Sequence, residues 1–214
     1  MNKYFSKKIF IKNKIITPKY FYLNKINFSN VDLKKEIKKN KLKFPIVLKP
    51  NQEGSSIGVN ICKNYNLLNR SFRKLRKKYD DLIFENYIPG KEIQVANIGN
   101  NAIGAIELQP KRKFYDYDAK YKKSSKTEHI MPADISKKKY REVLKISEKA
   151  YKILKCKGIA RCDFRFYKDK FYLLEVNTQP GMTSLSLVPE IAAYKNISFT
   201  KLVKWMVNNA SLNR

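Results

Sequence analysis

Residues 158–183 read GIARCDFRFYKDKFYLLEVNTQPGMT and hold the side chains best suited to chemistry. Aromatic and apolar residues alternate with polar ones on both sides of Lys168, Asp169 and Lys170, the pattern of two strands joined by a short turn. A three-residue turn over 168–170 sets Tyr167 opposite Phe171. In that register Asp163 lies across from Glu175, and Arg161 across from Asn177. Facing residues sit roughly 4.5–5.5 Å apart, and like charges placed opposite one another destabilise a sheet. Two carboxylates and an amide aimed at one point therefore call for a divalent cation. Hard oxygen ligands suit Mg²⁺, which also takes oxygens from a substrate phosphate. A turn of two or four residues would slip the register and lose the facing.

The chain that must position these groups has 214 residues, enough for one large domain or two small ones with real cores. A hydrophobic content of 43% excludes a disordered chain. No apolar run reaches the length needed to span a bilayer, so no membrane partner is expected. The basic N-terminus lacks a continuous apolar stretch and a small-residue cleavage site, which points to the cytoplasm. Cys62, Cys156 and Cys162 form no CxxC pair and His129 is the single histidine, so zinc is not expected. The net charge of +28 suggests nucleic acid. Against this, eight Arg stand beside 38 Lys, and the lysines are spread along a chain rich in Lys, Asn and Ile. A dedicated nucleic-acid surface enlists Arg for its forks to phosphates and bases. The lysines are taken as solvated surface that helps recruit anionic nucleotides, with no specific nucleic-acid partner.

Periodicity predicts a basic helix over 1–16, a turn at Thr17 and Pro18 into an extended segment, and a polar helix over 31–41. A buried strand at 44–50 leads through a small-residue loop, 51–56, to a return strand at 57–62. Leu67, Leu68, Phe72 and Leu75 mark a helix over 64–78, and a strand at 82–87 ends at Pro89 and Gly90. Past Glu92, strands 92–98 and 102–108 flank a turn at Gly99, Asn100 and Asn101. Residues 109–135 are polar with too little periodicity for a helix. An amphipathic helix over 137–155 precedes the carboxylate hairpin, and a helix over 199–207 closes the chain. The expected organisation is two α+β lobes, 1–92 and 93–214.

Three further segments carry chemistry. Gly54 and Gly58 bracket Ser55 and Ser56 between two strands, and backbone N–H groups in such a loop can cradle phosphate oxygens. Taken alone the loop reads better as a hairpin turn, but Lys49 adds a cation at the strand end and improves the phosphate reading. Residues 85–92 (ENYIPGKE) place Glu85 and Glu92 around a Pro-Gly bend, where one carboxylate can read a base and the other the ribose hydroxyls; without the other motifs a plain connection between lobes is the favoured reading. Residues 114–121 (FYDYDAKY) open a long polar loop of the kind that often serves as a lid, with Lys120 and Tyr121 able to reach a phosphate and a substrate; a surface strand and loop is the alternative. After the hairpin, Gly181 and the hydroxyls that follow suit a carboxylate or an oxyanion, or a helix N-cap.

In this order the segments resemble D-alanine–D-alanine ligases of the ATP-grasp superfamily over essentially the whole chain. The most specific stretches are 48–58 (LKPNQEGSSIG), 114–121, and 175–189 (EVNTQPGMTSLSLVP). The resemblance implies an ATP-grasp fold of two α+β lobes with nucleotide and metal between them. It implies that Lys3, Lys49 and Lys120 contact ATP phosphates and that Ser55 and Ser56 close over them. Glu85 and the backbone at Ile88 would read the adenine, and Glu92 the ribose. Asp163, Glu175 and Asn177 would hold two Mg²⁺ or Mn²⁺ ions, with Glu175 shared. Arg161 and the Gly181 N–H would stabilise an oxyanion, Tyr121 with Ser55 would shape the D-alanine site, and Ser186 and Leu187 would hold the carboxylate of the second D-alanine. ATP and D-alanine are the implied partners, and a homodimer is compatible with the family. The implied activity is ATP-dependent synthesis of D-alanyl-D-alanine for peptidoglycan, through an acyl phosphate; the alternatives are another ATP-grasp carboxylate–amine ligase, or a non-catalytic basic nucleic-acid-binding remnant. The family carries a further N-terminal α/β domain that holds the first D-alanine. A 214-residue chain without it is expected to bind nucleotide and metal and to ligate weakly or not at all.

Overall fold

The computed structural model describes residues 2–54, 56–110, 127–183 and 185–210. Two antiparallel sheets divide the chain. The first has the order β1-β4-β2-β3, built from β1 (Tyr20–Asn24), β2 (Ile46–Pro50), β3 (Asn60–Cys62) and β4 (Asp81–Asn86). Helices α2 (Leu33–Lys39) and α3 (Tyr65–Leu75) cover its apolar face. Phe21, Ile46, Leu48, Leu82 and Phe84 meet Leu33, Leu68 and Phe72 there. Asp32 caps α2 and Asn64 caps α3, each through its side-chain oxygen.

The second sheet runs β7-β6-β5-β8-β9, from β5 (Lys91–Ile98), β6 (Asn101–Pro110), β7 (Thr127–Ile130), β8 (Ile159–Tyr167) and β9 (Lys170–Asn177). Side chains alternate faces along each strand. Ile93 and Val95 pack in one layer with Cys162, Phe164 and Leu173 under α4 (Lys137–Ile153). Ala96, Ile106 and Leu108 pack on the opposite side against α5 (Leu187–Tyr194) and α6 (Phe199–Asn208). Helix α1 (Lys3–Lys12) precedes the first sheet in sequence, yet its Phe10 joins the core of the second, and Leu173 N–H donates to Ile16 O at 2.8 Å. The N-terminal segment is thus shared between both halves.

Both long hairpins correct the expected turns in the same way. Ile98 pairs with Asn101 around a two-residue turn, and Ile103 is then an extra residue, because Asn97 pairs with Ala102 and Ala96 with Gly104. In the carboxylate hairpin Tyr167 pairs with Lys170, not Phe171, around Lys168 and Asp169. Those two residues have φ of 46° and 60°, the left-handed pair that a tight primed turn needs. Lys139 on α4 holds the turn, meeting Asp169 O at 2.7 Å and Asp169 Oδ2 at 2.9 Å. The slip is then undone. Phe164 pairs with Leu173 and Asp163 with Glu175, so Leu174 is a bulged residue that restores the expected facing.

Other boundaries moved by a few residues. Helix α1 stops at Lys12 where 1–16 was expected, and Lys14 turns to φ 58°. The polar stretch contains β7, and α5 was not foreseen. Among the described residues no helix is long and apolar enough to cross a membrane.

Candidate active site

The carboxylate hairpin supplies the floor of the site. Asp163 and Glu175 stand opposite one another on neighbouring strands, and Arg161 stands opposite Asn177. Arg161 forks onto Asp163 at 2.7 and 2.9 Å, a bidentate contact between residues two apart on one face of β8. Lys3 Nζ lies 3.5 Å from Glu175 Oε2 and also donates to Glu53 O. Asn177 Oδ1 accepts from Gln179 N–H at 3.0 Å. Each carboxylate thus already faces a protein cation, as two like charges at this spacing require. Among the described residues no group of three His, Cys, Asp or Glu side chains comes together. The candidate donor set is two carboxylates plus an amide, all hard oxygens, and its chemistry fits Mg²⁺ or Mn²⁺.

A cavity between the two sheets gathers most of the residues singled out from sequence. Lys3, Lys49, Ser56, Glu85, Ile88, Glu92, Asp163 and Glu175 all line it. Strand β2 brings Lys49 and strand β4 brings Glu85 to its wall. Both are buried, and Lys49 Nζ meets Glu85 Oε1 at 2.6 Å. The other oxygen of Glu85 lies 2.9 Å from Lys7 Nζ. Lys7 sits one helical turn beyond Lys3 on the same face of α1 and is fully buried. Burial by itself raises the Glu85 carboxyl, but Lys49 and Lys7 outweigh it and hold the pKa at about 2. Burial lowers Lys7 to about 8, with Glu85 opposing that fall. Lys3 is lowered too, by burial first and with Glu175 opposing.

The start of β5 builds the next wall. Glu92 Oε2 meets Arg165 Nη2 at 2.9 Å, and Glu92 Oε1 accepts from Gln94 Nε2 at 3.2 Å. Arg165 also donates to Gly90 O at 3.1 Å. Gly90 has φ 97°, and a Cβ there would lie 2.3 Å from Phe166 O, so this bend admits only glycine. The bend fixes how Ile88 and Glu92 enter the cavity from opposite ends of the inter-sheet connection.

Beyond β9, Ser186 Oγ accepts from Thr183 N–H at 2.9 Å and also touches Thr183 Oγ1. A Cβ at Gly181 would lie 2.8 Å from that oxygen, so the Pro-Gly segment folds tightly over Ser186. The side chain of Leu187 is buried with Val188 and Ile191. Only its backbone, in the first turn of α5, is available to a substrate, which narrows the role expected for it. Gly181, Ser186, Leu187, Arg161 and Asn177 are not on the cavity wall proper. Ser55, Lys120 and Tyr121 lie outside the described residues. Sequence reasoning missed Lys7, Arg165 and Gln94. The spacing of Lys3 and Lys7 by four residues on a predicted helix was the available signal for the first. Arg165, two residues beyond Asp163 on one strand face, was the signal for the second.

Two antiparallel sheets gripping a cavity lined by lysines, carboxylates and a glycine-serine loop define an ATP-grasp protein. A family model described as "D-ala D-ala ligase C-terminus" matches residues 9–208. The D-alanine–D-alanine ligase of Pelagibacter ubique is 54% identical over 214 residues, covering all of this chain and 69% of that protein. The D-alanine–D-alanine ligase of Rickettsia massiliae is 41% identical over 208 residues, 93% of this chain and 63% of its own length. The crystal structure of the Bacillus anthracis D-alanine–D-alanine ligase complexed with ATP superposes with a TM-score of 0.82 at 28% identity, over 97% of this chain and 65% of that one. The chain belongs to the D-alanine–D-alanine ligase family, and it spans about two thirds of the length of these relatives.

Proposed function

We propose that the chain carries the nucleotide-, metal- and second-substrate-binding part of an ATP-dependent ligase that joins two D-alanines into D-alanyl-D-alanine for peptidoglycan. The observation that carries this reading is the pairing of Asp163 with Glu175 on the floor of a cavity whose wall bears Lys3 and Lys49. Residues 1–92 supply the phosphate-facing lobe and residues 93–214 the metal and substrate lobe. Lys3 and Lys49 hold the phosphates, joined by Ser56 and, from outside the described residues, by Ser55 and Lys120. Glu85 and the backbone at Ile88 orient the base. Glu92, clamped by Arg165 and Gln94, takes the ribose hydroxyls. Asp163, Glu175 and Asn177 hold two Mg²⁺ or Mn²⁺ ions.

A carboxylate is a poor acylating agent, so the γ-phosphoryl group of ATP passes to the carboxylate of the first D-alanine and ADP leaves. Bound metal would offset the charge gathering on the transferred group. Lys3 and Lys49 add two further cations there. The amine of the second D-alanine then attacks the acyl carbon. Arg161 and the Gly181 N–H steady the oxygen that gains charge, phosphate departs with the C–O bond, and the amine loses its proton. Ser186 and the Leu187 N–H hold the second carboxylate, and Tyr121 lines the amino-acid site. A reaction that consumes ATP and feeds the cell wall belongs in the cytoplasm.

Calorimetric titration of the chain with ATP, with and without Mg²⁺, tests the reading. Metal-dependent ATP binding supports it. Absence of ATP binding, with tight salt-sensitive binding to DNA instead, overturns it.

A further inference from the structure

Lys7 is a fully buried charge that the proposed chemistry does not use. It has no exposed surface and does not line the cavity. Its Nζ donates to Thr17 Oγ1 at 2.7 Å and lies 2.9 Å from Glu85 Oε2 and 5.4 Å from the centre of the Tyr20 ring. On the other oxygen of the same carboxylate, 2.6 Å away, stands Lys49, which does face the cavity. We propose that Lys7 is a positioning residue for phosphate recognition: it neutralises Glu85 from beneath, so that the charge of Lys49 stays available to the triphosphate.

The inference rests on the ATP-binding reading above and follows from counting charges. Lys7, Glu85 and Lys49 together carry one net positive charge, aimed at the cavity through Lys49. Without Lys7, Glu85 and Lys49 cancel, and Lys49 answers to a carboxylate that has lost its other cation. All three side chains are nearly or fully buried, where such terms are weakly screened. Lys7 titrates at about 8 because burial opposes its charge, so it is largely protonated at neutral pH. Besides Glu85 and Lys49, the other charge that bears on it is Glu175 from β9. A lysine that merely filled space would leave the selectivity for phosphates untouched.

The test compares dissociation constants for ATP and AMP, with Mg²⁺ present, on the full chain and on Lys7→Met, Glu85→Gln and the double variant. The quantity read is the ratio of the AMP constant to the ATP constant, because base and ribose contacts cancel in it. Lys7→Met is expected to lower the ratio about tenfold, the effect of one unit charge across a partly screened site. The double variant removes the surplus carboxylate as well and returns the ratio to within about threefold of the parent. If the parent binds ATP and Lys7→Met keeps its ratio, the inference is wrong and the ATP reading stands. If the parent binds no ATP, the ATP reading itself fails. Should Lys7→Met not fold, Glu85→Gln decides: both ammonium groups are then uncompensated, so the ratio must hold or rise, and a fall overturns the inference.

Discussion

Replacing Glu85 by Gln should make the stability of this protein markedly less sensitive to acid. Glu85 lies between two buried ammonium groups, 2.6 Å from Lys49 and 2.9 Å from Lys7. Removing one partner of a buried ion pair costs about 3–5 kcal/mol, because the other charge is left uncompensated. The titration gives a second route to the magnitude. A folded pKa of about 2 against an ordinary 4.5 corresponds to about 3 kcal/mol. A depressed carboxyl stabilises the fold above its unfolded pKa, and that contribution drains away as pH falls from 4.5 toward 2. Urea unfolding followed by circular dichroism, run from pH 7 to pH 3, reads the effect directly. At pH 7 the variant should be less stable than the parent by about 3–5 kcal/mol. By pH 3 the gap should narrow by about 2 kcal/mol, since roughly three fifths of the interval from 4.5 to 2 has then been crossed. Other acidic groups act on both proteins and cancel in the difference. The gap should also survive 1 M salt, because the network is buried. A gap of the same size at pH 7 and pH 3, or no gap at pH 7, would refute the reasoning.

Other outcomes follow from the same geometry. Glu175→Gln should abolish the dependence of ATP affinity on Mg²⁺ while leaving the fold intact, which titrations with and without the metal would read; retained dependence would remove Glu175 from the metal set. Gly90→Ala puts a Cβ 2.3 Å from Phe166 O at φ 97° and should cost about 1–3 kcal/mol or more in urea unfolding, with weaker ATP binding beside it. Burial lowers Lys7 from 10.5 to about 8, so the unfolded chain binds the extra proton between those values. The parent should therefore gain stability relative to Lys7→Met as pH rises from 8 to 10.5, and a flat difference across that range would count against a buried ammonium.

The carboxylate hairpin shows both how far sequence reached and where it stopped. Alternation along 159–177 made the two strands and the facing of Asp163 with Glu175 legible. The turn was not, because left-handed Lys168 and Asp169 carry no glycine signal and are steadied by Lys139 from a distant helix. A bulge at Leu174 has no local spelling either, yet it cancels the slip that a shorter turn would cause. The hairpin at Gly99 repeats that compensation through Ile103. Glu85, Glu92 and Lys49 could be singled out by position at strand ends. Lys7 and Arg165 could not be given roles, because each acts by touching another side chain brought near only by the tertiary fold. Helix α5 was hidden by the Pro-Gly segment before it and by an apolar stretch too short for periodicity to mark.

The most direct measurement is anomalous diffraction from crystals grown with Mn²⁺ and a non-hydrolysable ATP analogue. An anomalous peak within coordination distance of the oxygens of Asp163, Glu175 and Asn177, with the triphosphate of the analogue reaching Lys49, is the expected result. Nucleotide in the cavity with manganese elsewhere, or with Asp163 still forked by Arg161 and no peak beside it, would contradict the idea that this β-hairpin was built to hold a metal.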